Sequence, residues 1–413
     1  MSDPRLAGRW AGFGTSIFTE MTDLARAHGA VNLAQGFPDF LGPPELLRAL
    51  ADHVATSHHQ YAPGIGEARL RRAVARQVAR ATGVERDPAT EVTITTGATE
   101  AIYATINAFV NPGDRVVAFE PLYDSYAQAI ANAGGVLVPV RLHAPATGGA
   151  TGAGPGAGSD AAGDDWAVDW PALEAATAAG FRLLVLNTPH NPTGKVFTAD
   201  ELVRIADAVR AAGAVALCDE VYEAMTFDGA EHRSLSSLPG MAEHVVRVSS
   251  AAKTFGFTGL KVGWATACPA LTAGVRLVHQ ATVFSTTPFL QTAIASVLED
   301  EPWLTGYLDG LRVDYRARRE LLRDALVAAG FDVPAARGTY FLMASYARLA
   351  PGEGDVAMAR RLVAERGVAA IPPSVFYAAP PGPLPWLRFA FCKRDETLRE
   401  AAARLRGPVA RPA

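Results

Sequence analysis

The chain has 413 residues, 49% hydrophobic and 19% charged, with 42 acidic against 38 basic residues and a formal charge of −4. That length supports a full core in two or three domains, and the near balance of charge argues against a nucleic-acid partner, which calls for a basic excess. No apolar run of membrane-spanning length is present, and MSDPRLAGRW lacks the apolar stretch of a signal peptide. The three cysteines, Cys218, Cys268 and Cys392, are odd in number and scattered. They fit a reducing cytoplasm and exclude a disulfide framework or a Cys-rich zinc site; no metal is expected.

From about residue 90 short apolar strands alternate with helices. EVTITT (91–96) reads as a strand broken at Gly97, and ATEAIYATINAFV (98–110) has helical spacing. NPGD is a turn before the strand RVVAF (115–119), and a helix over 122–135 ends in glycines before VLVPV (136–140). FRLLVLN (181–187) is followed by a helix opened by Thr198, with Glu201 at capping-box spacing and Gly213 at its end. AVALC (214–218) and HVVRVSS (244–250) complete the series. Such alternation indicates a mostly parallel sheet covered on both faces, with ligands bound beyond the carboxyl ends of its strands. Gly97, Glu120, Asn187, Asp219 and Ser250 stand at those ends. The segment 143–165 is Gly/Ala-rich and reads as a surface insertion. The final third has a long amphipathic helix within 303–330, strands GTYFLM and LRFAFC, and a helix over 355–367, which suggests a smaller α+β domain. The expected division is an N-terminal arm at 1–44 packing on that smaller domain, a large domain at 45–290 and the small domain at 291–413.

Only four of the basic residues are lysines: Lys195, Lys253, Lys261 and Lys393. Arginine stays charged, whereas lysine can lose its proton and act as a nucleophile. Lys253 and Lys261 share SSAAKTFGFTGLKVGW, which offers either an anion cradle around a reactive amine or a surface loop. The P-loop pattern is absent. In NTPHNPTGK the prolines and glycine can aim Asn191, and in ALCDEVY the carboxylate of Asp219 ends an apolar strand, costly to bury unless paired.

The combination of N-P-T-G, D-E-V-Y and S-x-x-K with a basic residue eight further on resembles the class I pyridoxal-phosphate aminotransferases of fold type I. Within them it is most similar to the kynurenine–glutamine, methionine and N-succinyldiaminopimelate aminotransferases. The likeness runs through NLAQGFPDF, QYAPG, TGATE, GTYF, GVAAIPPSVF and RFAFCK, nearly the whole chain. It implies an α/β fold with a mostly parallel seven-stranded sheet in the large domain. It further implies a homodimer whose active sites are completed across the interface, with Tyr61 arriving from the partner.

By that resemblance Lys253 bonds the aldehyde of pyridoxal phosphate and, once freed, moves the substrate proton. Asp219 pairs with the ring nitrogen, Tyr222 and Asn191 bond the phenolic oxygen, and Tyr123 stacks on the ring. Gly97, Ala98 and Thr99 at a helix start hold the phosphate with Ser250 and Lys261. Arg388 clamps the α-carboxylate two-for-two, assisted by Gly36 and Asn187. Phe18 and Phe284 match side-chain pocket positions. With Tyr123 they favour a bulky apolar, aromatic or sulfur-containing L-amino acid of the methionine, phenylalanine, kynurenine or glutamine type as donor to a 2-oxo acid. Three other readings stay open: succinyldiaminopimelate as donor, a β-lyase acting on cysteine S-conjugates, and a non-catalytic binding protein on the same fold. The chain departs from the family pattern at Leu260, where tryptophan is common, and at Ala252, where glycine or serine is usual; Lys261 replaces the arginine of aspartate aminotransferases.

Overall fold

The computed structural model describes residues 5, 7–10, 13–14, 16–57, 59–146, 164–380, 382 and 384–406. The Gly/Ala-rich core of the expected surface insertion, 147–163, lies outside the described residues. Twelve strands are present among the described residues. In chain order they are β1 (Val31–Asn32), β2 (Val92–Thr95), β3 (Arg115–Glu120), β4 (Val136–His143), β5 (Ala167–Val168) and β6 (Leu183–Asn187). β7 (Val215–Asp219), β8 (Val245–Ser250), β9 (Gly263–Thr266), β10 (Phe341–Ser345), β11 (Val368–Ala369) and β12 (Trp386–Ala390) follow.

Eight of them form one sheet in the order β2-β9-β8-β7-β6-β3-β4-β5. The strands from β8 to β4 run parallel, β9 is antiparallel to both its neighbours, and β5 is a two-residue antiparallel edge on β4. The sheet therefore holds one strand more than expected, the short β5. Its central strands are apolar along most of their length because both faces are covered, with polar residues gathered toward their carboxyl ends. Side chains alternate in strict register: Val117, Phe119, Leu184, Leu186 and Ala216 join one core, while Val116, Ala118, Leu183, Val185 and Leu217 join the other. The crossover helix Ala199–Ala212 begins at a complete Thr198–Glu201 capping box and stops at Gly213 in the left-handed region, as the spacing predicts.

β9 had no sequence signal of its own. It follows a turn and is four residues long. Its first residue explains its composition: a Cβ on Gly263 would fall 2.6 Å from the Ala98 amide nitrogen. Glycine lets this strand pass directly beneath the start of the helix Gly97–Phe109.

A separate core joins Met21, Ala25 and Val31 to Leu322, Leu342, Val363, Leu387 and Leu398. β1 pairs in parallel with β11, and β10 pairs antiparallel with β12, setting Met343 opposite Arg388. The N-terminal segment thus packs on the C-terminal third. The helix Pro288–Glu299 instead packs its Ala293, Ile294 and Leu298 among Leu46, Leu70, Val74 and Ile94. Among the described residues no helix is long and apolar enough to cross a membrane.

Candidate active site

The strand ends converge. Asn187 and Asp219 are register partners at the ends of β6 and β7, Ser250 ends β8, and Gly97 opens the helix after β2. All four line a cavity of about 390 Å³. Glu120, also at a strand end, does not; its buried carboxylate accepts from the Ala378 amide at 2.6 Å and fastens that loop.

Every expected site residue lines this cavity except Tyr61 and Phe284. Those two lie elsewhere on the chain, with edge-on rings 5.5 Å apart. Tyr61 is 85% exposed and Phe284 48%. Two aromatic rings left bare together are unusual for a monomer surface. Phe284 also holds φ 70°, an uncommon state for a bulky residue.

Asp219 is buried at the cavity floor and accepts from the Tyr126 hydroxyl at 2.5 Å and the Val221 amide at 3.3 Å. Burial pushes its carboxyl above the ordinary value, and the Tyr126 bond opposes that rise. Neither hydrogen-bond partner is a cation. Asn187 donates to the Asp219 carbonyl at 2.9 Å and accepts from the Asn191 amide at 2.7 Å, so one side chain sets the relation of two loops.

Lys253 lies in the short helix Ala251–Thr254 and donates to the Tyr340 hydroxyl at 3.0 Å. Burial brings its ammonium down to about 8, against 10.5 for an ordinary lysine. A substantial share is therefore neutral near pH 7–8, the form that attacks carbonyl carbon. Lys195 and Lys393 do not line the cavity and are buried structural groups. Lys195 pairs with Glu201 at 2.9 Å, and Lys393 donates to the Phe37 carbonyl at 2.7 Å.

Arg388 is fully enclosed, with its guanidinium 4.1 Å from the Phe341 ring centroid. It donates to Asn191 Oδ1 at 2.9 Å and the Ala34 carbonyl at 3.0 Å. Its buried Nε has no partner among the described residues, and burial pulls its guanidinium down to about 10. A buried donor left unpaired is costly, and a carboxylate is the acceptor whose geometry matches it.

Also lining the cavity, Gly97 has φ 78°, and Thr96 makes no side-chain cap. The first-turn amides of this helix therefore stay open to an anion. A Cβ at Gly97 would stand 3.2 Å from Lys261 Nζ, so the glycine leaves room for lysine and ligand together. Lys261 itself adopts φ 53°, a strained state that aims its side chain here. A buried carboxylate hydrogen-bonded by no cation, and open helix amides beside a lysine, fit the ring nitrogen and phosphate of pyridoxal phosphate. Lys253, with its lowered ammonium, lines the same cavity and fits its aldehyde.

Two contributors were missed in the sequence. Tyr126 lies three residues after Tyr123 on the same helix start, a spacing that could have indicated it. Tyr340 stands inside GTYF, a motif that marked likeness without suggesting a task.

The model for "Aminotransferase class I and II" matches residues 29–405. The chain is 42% identical to a probable N-succinyldiaminopimelate aminotransferase from Mycobacterium tuberculosis, covering 97% of this chain and 98% of that one. It is 40% identical to the methionine aminotransferase of Escherichia coli, over 95% and 96% of the two chains. A solved Escherichia coli structure with a methionine aminotransferase function superposes with a TM-score of 0.88 at 38% identity, covering 98% of this chain and 100% of that one. The chain belongs to the class I and II aminotransferases, pyridoxal-phosphate enzymes of fold type I that exchange an amino group between an amino acid and a 2-oxo acid.

Proposed function

We propose that the donor is a bulky apolar, aromatic or sulfur-containing L-amino acid of the methionine, phenylalanine, kynurenine or glutamine type, used with a 2-oxo acid in a ping-pong cycle. One observation carries this reading. Arg388 is the single arginine lining the cavity among the described residues, and Phe18, Tyr123 and Phe341 form its walls. Once Arg388 holds the α-carboxylate, those walls favour an apolar side chain over a second anionic group.

Bound pyridoxal phosphate supplies an electron sink for the pair left behind when the Cα proton departs. The protein's own groups do the rest. Lys253 Nζ carries the proton away from Cα and returns it. Asp219 holds a proton on the ring nitrogen, with Tyr126 keeping the carboxylate in place. Tyr222 and Asn191 donate to the phenolic oxygen, and Tyr123 orients the ring face. The first-turn amides of Gly97, Ala98 and Thr99, with Ser250 and Lys261, anchor the phosphate. Gly36 and Asn187 border the α-carboxylate beside Arg388.

Tyr61 and Phe284 act in the partner's cavity of a homodimer; their joint exposure supports that assembly. The cytoplasm is the proposed location. The arm at 1–44 belongs with the C-terminal unit, and we draw the second boundary after the helix Pro288–Glu299, because that helix packs with residues 46–78.

A second reading, succinyldiaminopimelate as donor, is supported by the Mycobacterium tuberculosis relative. A stopped-flow donor panel decides between them: bleaching of the lysine-bound cofactor band by methionine, phenylalanine, kynurenine, glutamine, aspartate and succinyldiaminopimelate. Faster bleaching by succinyldiaminopimelate than by all the others would overturn the first reading. Pyruvate and ammonia from a cysteine S-conjugate would reveal β-lyase chemistry.

A further inference from the structure

Tyr340 is fully buried, yet its hydroxyl makes two directed bonds at the edge of the cavity. It donates to the Gly36 carbonyl at 2.5 Å and accepts from Lys253 Nζ at 3.0 Å. A phenol has one proton. With that proton committed to Gly36, the hydroxyl can only accept from the lysine. An amine held through one of its N–H bonds keeps its lone pair free to take a proton.

The backbone is built to hold this ring. Thr339, the preceding residue, has φ 66°, a strained state for a β-branched side chain. Its amide donates to the Met225 carbonyl at 3.0 Å, and its hydroxyl accepts from Phe341 at 3.2 Å, so the turn is fixed from both sides. A Cβ on Gly338 would strike the Pro189 ring at 2.5 Å, which seats the turn against the loop that carries Asn191. The Tyr340 ring meets Tyr222 edge-on at 5.1 Å and Phe341 at 4.8 Å. Packing alone would be served equally by phenylalanine. The hydroxyl is what the turn presents to Lys253.

We infer that Tyr340 is a positioning residue for Lys253: its hydroxyl, oriented by the Gly36 carbonyl, holds the lysine amine whenever that amine is free. This rests on the proposed role of Lys253 as the reacting lysine. The same bond ties the amine to the segment over the cavity. Carbonyls of Ala34, Gly36 and Phe37 are held by Arg388, Tyr340 and Lys393 in turn. The group that clamps the carboxylate and the group that carries the proton are thus referenced to one loop.

The test uses Tyr340→Phe in the full chain, with two readouts. In cofactor-free protein, competitive acetylation of Lys253 followed by mass spectrometry across pH gives the protonation midpoint of its amine. Losing an acceptor for the ammonium lowers that midpoint by about one pH unit. In the loaded enzyme kcat falls roughly tenfold while the donor KM stays within about twofold, since a misplaced amine impairs proton transfer and not carboxylate binding. Tyr340→His keeps an acceptor atom on a ring and recovers part of both effects; it serves equally should the phenylalanine variant not fold. An unchanged midpoint and kcat in folded Tyr340→Phe, beside a wild type that is reductively trapped at Lys253, overturns this inference alone. A wild type that cannot be trapped at Lys253 overturns the functional reading and this inference together.

Discussion

Replacing Arg388 by lysine keeps the charge and removes the planar fork. In the wild type two guanidinium N–H groups are already engaged, by Asn191 Oδ1 at 2.9 Å and the Ala34 carbonyl at 3.0 Å. The unpaired Nε and the remaining N–H groups are left for substrate. An ammonium at the same place can make one carboxylate bond where the fork makes two. A hydrogen bond to a charged group contributes about 1.5–3 kcal/mol, so Arg388→Lys lowers kcat/KM for an α-amino acid by roughly 10- to 150-fold. The comparison that isolates the cause is a primary amine of the same side chain but without the carboxylate. Its half-reaction, followed by single-turnover absorbance, is slow in both proteins and changes less than about threefold on substitution. A kcat/KM within about twofold of wild type, or an equal loss with the decarboxylated amine, would refute carboxylate recognition by Arg388. Burial makes a stability effect inevitable as well: leaving Asn191 or the Ala34 carbonyl unpaired removes about 1–3 kcal/mol, read from urea unfolding.

Asp219→Asn retains a polar group but not a negative one, so cofactor still binds while kcat drops by about 10² or more, measured by steady-state turnover. Lys253 governs a pH dependence. With its amine brought down to about 8, cofactor loading, followed by absorbance, accelerates about tenfold per pH unit below that value and levels off above it; a flat profile from pH 6 to about 9 would count against a neutral-amine attack. The unfolded chain binds this proton up to about pH 10.5 while the folded one releases it near 8, so this group's contribution to stability rises with pH across that interval. Thr198→Ala removes the capping-box oxygen of a helix that does not line the cavity; thermal unfolding shows a loss of about 1 kcal/mol, and activity at a permissive temperature is unaffected.

Local chemistry carried much of this protein into legibility. Alternating apolar strands and capped helices announced a covered parallel sheet, because that periodicity is what burial on two faces imposes. The strand-end rule then singled out Gly97, Asn187, Asp219 and Ser250, since only the carboxyl ends of such strands open on a shared crevice. Family likeness supplied the roles of Lys253, Lys261 and Arg388. Other features depend on atoms far apart in the chain, and no window of sequence contains them. Glu120 shared the strand-end position but turned to the Ala378 amide, a partner 258 residues away. Tyr340 reached Gly36 across 304 residues and so came to face the lysine. Phe284 packs on Tyr61 outside this chain's cavity, a contact between residues 223 positions apart that is visible only once the chain has folded. Sequence periodicity thus determined which elements form and where a crevice must open. Long-range packing decided which further side chains, such as Tyr126 and Tyr340, serve that crevice and which, such as Glu120, turn away from it, because hydrogen bonds and steric fit act on distance in space, whatever the separation along the chain.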